Sequence, residues 1–267
     1  MRLFHTTCGD AENPATLFLH GFMGRGSEWD EVCEPLQSEY FCIRPDLPGH
    51  GKSTKGTDRD YSIEQTSIAL TKLLDELSTE TVIVVGYSMG GRIGLYLSIE
   101  HPQRVGALIL ESSSPGLRTQ RERDARIELD GKRTERITRL GMNTFIDEWY
   151  DALLFESLHS NPERLSNLKA ARRKNSPEEL AKSLKYSGTG SQPSLWERIG
   201  EIDIPTLLLC GERDRKFTVI NREMSHLIKS SELTIVPNAG HNVHFEQPVE
   251  YGRLLKEFCR GSTESKE

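Results

Sequence analysis

The chain has 267 residues and a net charge of -6. That length carries one core with room for an insertion and needs no disulfide or metal staple, and the acidic balance argues against a general nucleic-acid binder. Five scattered cysteines with no C-x-x-C pair, no basic-then-apolar pattern in residues 1–13 and no long apolar run lead us to expect a cytoplasmic protein with reduced thiols and no membrane insertion.

In chain order, Thr16-Leu17-Phe18-Leu19 predicts a buried strand. The glycine-rich loop His20-Gly21-Phe22-Met23-Gly24 follows at once, and such a loop leaves backbone N–H groups free to face a ligand. His20 reads as structural, its ring bonded to nearby backbone. Tyr40–Ile43 predicts the next strand. Gly51-Lys52-Ser53 suggests a phosphate loop, but that motif needs glycine where Asp46 stands, so the nucleotide reading is rejected. Ser62 and Gln65 form a capping box, and Ile63, Leu70, Leu73, Leu74 and Leu77 mark the buried stripe of a helix.

The β-branched run Thr81–Val85 predicts a strand buried on both faces. Gly86-Tyr87-Ser88-Met89-Gly90 follows, then a helix with apolar Ile93, Leu95, Tyr96, Leu97 and Ile99 that Pro102 must stop. Strand, sharp turn and helix are the setting of a nucleophile elbow, which exposes the central hydroxyl at the end of the sheet. Ala107–Leu110 is another strand. Strands alternating with helices imply a mostly parallel sheet covered on both faces, an α/β fold.

After Pro115-Gly116 the chain turns helical and strongly charged, with Arg118, Arg121, Arg123, Arg126, Arg133, Arg136 and Arg139 in its first part. We expect residues 115–197 to be an inserted helical cap and residues 1–114 and 198–267 to form the core. Pro205–Cys210 and Leu233–Val236 return to strand, the first followed by Glu212 and Asp214, the second by Gly240-His241. A terminal helix starts at Pro248.

A serine hydroxyl becomes reactive when an imidazole accepts its proton and a carboxylate orients that imidazole. Ser88, Asp214 and His241 each follow a buried strand, in the chain order of α/β-hydrolases. Glu212, Asp203, His244 and Ser112–Ser114 fit less well by position or by their neighbouring residues. The N–H groups of Phe22 and Met89 are the candidate oxyanion donors. No paired H-x-x-x-H spacing supports a metal site.

Together with the elbow and the His20 loop, Arg92, Pro115-Gly116-Leu117, Trp149-Tyr150, Gly188-Thr189-Gly190-Ser191-Gln192-Pro193 and Gly240-His241-Asn242 resemble the MenH family of 2-succinyl-6-hydroxy-2,4-cyclohexadiene-1-carboxylate synthases. These have the α/β-hydrolase fold and act in menaquinone biosynthesis. The resemblance implies a carbon–oxygen lyase that needs no cofactor. It would take a proton from 2-succinyl-5-enolpyruvyl-6-hydroxy-3-cyclohexene-1-carboxylate and expel pyruvate, with Ser88, His241 and Asp214 as the machinery. It also implies that Arg92, Arg126 and Arg172 (or Arg173) hold the three carboxylates of this small anion, beside Trp149 and Tyr87. A serine hydrolase of esters or carbon–carbon bonds is the alternative, and a ligand receptor that keeps the triad ranks last. No residue pattern specifies an oligomeric state.

Overall fold

The computed structural model describes residues 1–264; residues 265–267, the tail of the expected 198–267 core segment, lie outside the described residues. The strands are β1 (His5–Cys8), β2 (Ala15–Leu19), β3 (Phe41–Pro45), β4 (Val82–Tyr87), β5 (Val105–Glu111), β6 (Thr206–Gly211) and β7 (Ser231–Val236). They form one sheet in the order β1-β3-β2-β4-β5-β6-β7. All neighbours pair parallel except β1 with β3. β1 is the strand absent from the sequence reading: its four residues, His-Thr-Thr-Cys, are all at least partly exposed. A short polar edge strand carries no apolar alternation to betray it.

Alternation along each strand sends side chains to opposite faces. Leu17, Leu19, Val84 and Leu108 pack on one side with Leu70 and Leu74. Phe18, Val85 and Ile109 pack on the other with Trp29, Tyr251 and Leu255. The helices supplying those layers include the short α1 (Asp30–Cys33), α2 (Ile63–Glu76) and α3 (Met89–Glu100). Ser62 caps α2 by accepting the Gln65 N–H at 3.3 Å, the forward half of the expected box.

Between β5 and β6 the chain forms α4 (Gln120–Tyr150), α5 (Pro162–Arg172) and α6 (Pro177–Ser187). A full capping box between Thr119 and Glu122 starts α4, a device worth about 1 kcal/mol. Gly141, at φ 77° and ψ 168°, breaks that helix into two arms. These helices have their own core, with Ile137, Phe145, Ile146, Leu168, Leu180 and Leu184 buried together. The segment departs and returns at one place: Leu195 donates its N–H to Pro115 O at 2.8 Å, and Trp196 Nε1 donates to Gly116 O at 2.9 Å. The Tyr61 hydroxyl donates to buried Glu179, fastening α6 to the core.

The chain ends with α7 (Arg215–Leu227), the short α8 (Val243–Glu246) and α9 (Pro248–Glu264). Among the described residues, no helix is long and apolar enough to cross a membrane.

Candidate active site

The turn from β4 into α3 holds Ser88 at φ 50° and ψ -104°, a backbone region that L-residues avoid. Its N–H is tied to Glu111 O on β5 at 2.9 Å. Close approach is what the glycines permit: a Cβ on Gly90 would run into the backbone of Leu19 and His20. The strained turn lifts the Ser88 hydroxyl clear of the sheet.

His241 Nε2 lies 3.3 Å from Ser88 Oγ, and its Nδ1 lies 2.6 Å from Asp214 Oδ2. His241 and Asp214 are both buried. With Nδ1–H donated to the carboxylate, Nε2 is left as the acceptor facing the hydroxyl. Asp214 also caps α7, its Oδ1 accepting the Phe217 N–H at 3.3 Å. The rings of Phe217 and Tyr87 stand 4.7 and 5.5 Å from the imidazole.

Two carboxylates that the sequence reading did not single out secure the His241 loop. Glu246 accepts the N–H of Gly240 at 2.9 Å and of Asn242 at 3.2 Å, one on each side of His241. Glu111, fully buried, accepts the His244 N–H at 3.1 Å and lies 2.7 Å from its Nδ1. His244 therefore anchors the loop to β5 and stacks on Trp29 at 4.2 Å. Neither role leaves a spacing signature, because both arise from contacts that folding creates. Of the other competitors, Glu212 accepts the Asn238 N–H in a surface turn, and Asp203 is exposed ahead of β6.

The His20–Gly24 loop lies beside the elbow, with the Tyr87 ring filling the space that a Gly21 side chain would need. His20 Nδ1–H donates to Gly21 O at 2.8 Å and its Nε2 accepts the Leu47 N–H at 2.9 Å. His50 repeats the pattern, donating to Pro48 O at 3.0 Å and accepting the Met23 N–H at 3.0 Å. Burial holds both imidazoles below the usual histidine value, His50 at about 4. Among the described residues no protein acceptor takes the N–H of Phe22 or of Met89, and both residues line the cavity over Ser88.

That cavity, about 530 Å³, is roofed by α4–α6 and floored by Ser88, Tyr87 and His241. Arg92, Arg126, Trp149 and Arg172 all line it; Arg173 does not, and pairs instead with exposed Asp147. Arg92 Nη1 donates to Ser187 O at 2.9 Å and to Gln192 Oε1. Burial, with Arg126 nearby, lowers its guanidinium to about 9, which is still charged at neutral pH. Arg126 donates through Nε to Asp130. Arg172 is more heavily engaged, with Nε on the Tyr150 hydroxyl, Nη1 on Met23 O and Nη2 on Glu28. The Trp149 ring packs on Phe22 at 5.3 Å and on Phe145 at 5.6 Å, with the Arg133 guanidinium 5.3 Å above it. Burial, then the charge of Glu111, raises the Tyr87 phenol well above its ordinary value, so it stays protonated. Apolar walls with several inward cations suit a small ring-bearing polyanion.

Residues 14–248 match the model of the alpha/beta hydrolase fold family. The chain is 40% identical over 252 residues to a Bacillus subtilis protein named, provisionally, as a 2-succinyl-6-hydroxy-2,4-cyclohexadiene-1-carboxylate synthase, covering 94% of this chain and 92% of that one. It is 32% identical over 255 residues to the enzyme of that name from Enterobacter sp. (strain 638), covering 96% and 95%. The solved structure of MenH from S. aureus superposes with a TM-score of 0.93 at 31% identity, covering 97% of this chain and 98% of that one.

Proposed function

The chain belongs to the 2-succinyl-6-hydroxy-2,4-cyclohexadiene-1-carboxylate synthase family of α/β-hydrolase-fold proteins, and from that premise we propose that it is a carbon–oxygen lyase of menaquinone biosynthesis. Its substrate would be the tricarboxylate 2-succinyl-5-enolpyruvyl-6-hydroxy-3-cyclohexene-1-carboxylate. The observation that carries this reading is a Ser–His–Asp relay beneath a cavity walled by arginines, where a hydrolase of neutral esters would have no use for so many cations.

Ser88 Oγ takes the ring proton next to the succinyl carbonyl while passing its own proton to His241 Nε2. The imidazolium so formed is stabilised by Asp214. Negative charge moves to the succinyl oxygen, where the N–H groups of Phe22 and Met89 meet it; Met89 adds the positive end of α3. The electron pair then returns, the ring double bond shifts to give the conjugated 2,4-diene, and the enolpyruvyl C–O bond breaks. The departing enolate takes the proton held on His241 and leaves as pyruvate, which restores the neutral imidazole. No acyl-enzyme forms. In this reading the helical segment 115–197 is the cap that collects the substrate. The free guanidinium edges of Arg92 and Arg126 take carboxylates, Trp149 and Tyr87 wall the ring, and Arg172 lends charge while bracing Tyr150 and the Phe22 loop.

The test is pyruvate release by the purified chain from the enolpyruvyl substrate, with no added cofactor. Release at an enzymatic rate supports the assignment. Absence of release, together with burst kinetics and a trapped acyl-enzyme on p-nitrophenyl esters, would replace it with a serine hydrolase.

A further inference from the structure

Nearly every cation lining the cavity is already engaged. Arg126 and Arg133 share Asp130, Lys132 pairs with Glu128, Arg136 with Glu148 and Arg172 with Glu28. Arg92 donates to Ser187 and Gln192. Lys216 stands apart: it lines the same cavity, and among the described residues its ammonium has no hydrogen-bond or ion-pair partner.

Its position is specific. Lys216 lies in the first turn of α7, two residues beyond Asp214. Its ammonium is 5.4 Å from the Phe217 ring, and that ring packs on His241 at 4.7 Å. Lys216 is an exposed residue that also borders the cavity. Even so, burial of the ammonium, then the positive charge of Arg126, hold it below the ordinary lysine value. Three cations thus face one cavity from two directions, Lys216 from the core and Arg126 and Arg133 from α4, and the Asp130 carboxylate is already shared by the two arginines. An anion placed there relieves their mutual repulsion and breaks no existing hydrogen bond or ion pair of Lys216.

We propose that Lys216 is a substrate-binding residue that grips one carboxylate from the core side, jointly with Arg126 and Arg133 on the helical insertion. This rests on the lyase reading in that the substrate must carry several carboxylates. The geometry gives that carboxylate a place between core and insertion, at the His241 end of the cavity.

The experiment compares pyruvate release by the full wild-type chain, Lys216→Gln and Lys216→Arg over a range of salt. Lys216→Gln should raise KM about tenfold or more, the loss expected for one charged hydrogen bond, with kcat within about twofold. The salt dependence of kcat/KM should flatten. Lys216→Arg should recover most of the affinity, and thermal midpoints should lie close together, because Lys216 makes no hydrogen bond or ion pair among the described residues and its contact with the Phe217 ring is long. An unchanged KM and salt slope would overturn the proposal. A wild type that releases no pyruvate overturns the lyase reading alone. The question then passes to calorimetry with propane-1,2,3-tricarboxylate, where binding weakened by Lys216→Gln supports the role and unweakened binding ends it.

Discussion

Asp130 takes the Nε edge of Arg126 with both carboxylate oxygens, at 2.9 and 2.8 Å. The two terminal nitrogens of that guanidinium have no protein partner among the described residues. Since Asp130 is buried, it sets the direction of the fork and leaves the open end unpaired beside the cavity.

Removing the fork should therefore cost binding more than chemistry. Arg126→Ala is expected to raise KM about tenfold or more and to change kcat less. Asp130→Asn should raise KM by a smaller factor, because the fork survives but loses its orientation. Steady-state pyruvate release over a substrate series checks both. Identical KM values for wild type and Arg126→Ala would return Arg126 to a surface role.

The relay makes a sharper demand. Ser88→Ala should lower turnover by about four orders of magnitude or more, since members of such a unit fail together. Asp214→Asn should lose about 10⁴, as the imidazole then presents the wrong tautomer. Single-turnover pyruvate release with enzyme in excess measures each, and near-normal turnover by Ser88→Ala removes that hydroxyl as the base.

Glu246 holds the backbone on both sides of His241, and in the lyase reading it acts as a positioning residue that touches no substrate. Glu246→Gln keeps one acceptor for Gly240 or Asn242 but turns an amide N–H₂ on the other N–H. The loop should loosen, and kcat should fall about tenfold to a hundredfold, the range for a displaced catalytic group. KM should hardly move. Glu246→Asp should restore part of the rate; a variant losing affinity instead would assign Glu246 to substrate binding.

Acid should weaken the fold through His50. In the folded protein burial holds this imidazole at about 4, against about 6.5 when unfolded. The unfolded chain thus binds the proton more readily, so stability is complete above about pH 6.5 and falls as pH drops toward 4. The loss from this one group is about 3 kcal/mol, and buried His20 shifts in the same direction. Urea unfolding from pH 7 to pH 4.5 measures it. His50→Gln, whose carbonyl can still accept the Met23 N–H, should flatten the profile; an equally steep profile in that variant would place the acid sensitivity elsewhere.

What could be read without coordinates follows from locality. The elbow at Ser88, the strands before Asp214 and His241 and the glycine-rich loop are written in contiguous residues, so pattern and punctuation suffice. The sheet's polar edge strand was silent because exposed Thr6 and Thr7 carry no apolar period. The arginines were visible as a group, but their directions were not. Arg172 and Arg173 are adjacent in sequence, yet one is buried on Glu28 and the other reaches exposed Asp147. Which side of a helix meets the cavity is decided by packing, through the residues of α4–α6 that pack together. Glu246 and Glu111 were invisible for a related reason: a carboxylate that serves backbone N–H groups needs no motif, only proximity.

The paired bonds from Leu195 to Pro115 and from Trp196 to Gly116 carry an evolutionary implication. A polypeptide that leaves and rejoins a scaffold through a single closed doorway can be lengthened, shortened or exchanged while β5 and β6 keep their alignment. In the lyase reading, most of the proton-handling apparatus and the selector above it are thus encoded in separable stretches, free to diverge at different speeds. On the same reading, a foreign roof grafted at this doorway should redirect the choice of molecule, provided the graft keeps the brace that Arg172 sets on Met23 and Glu28.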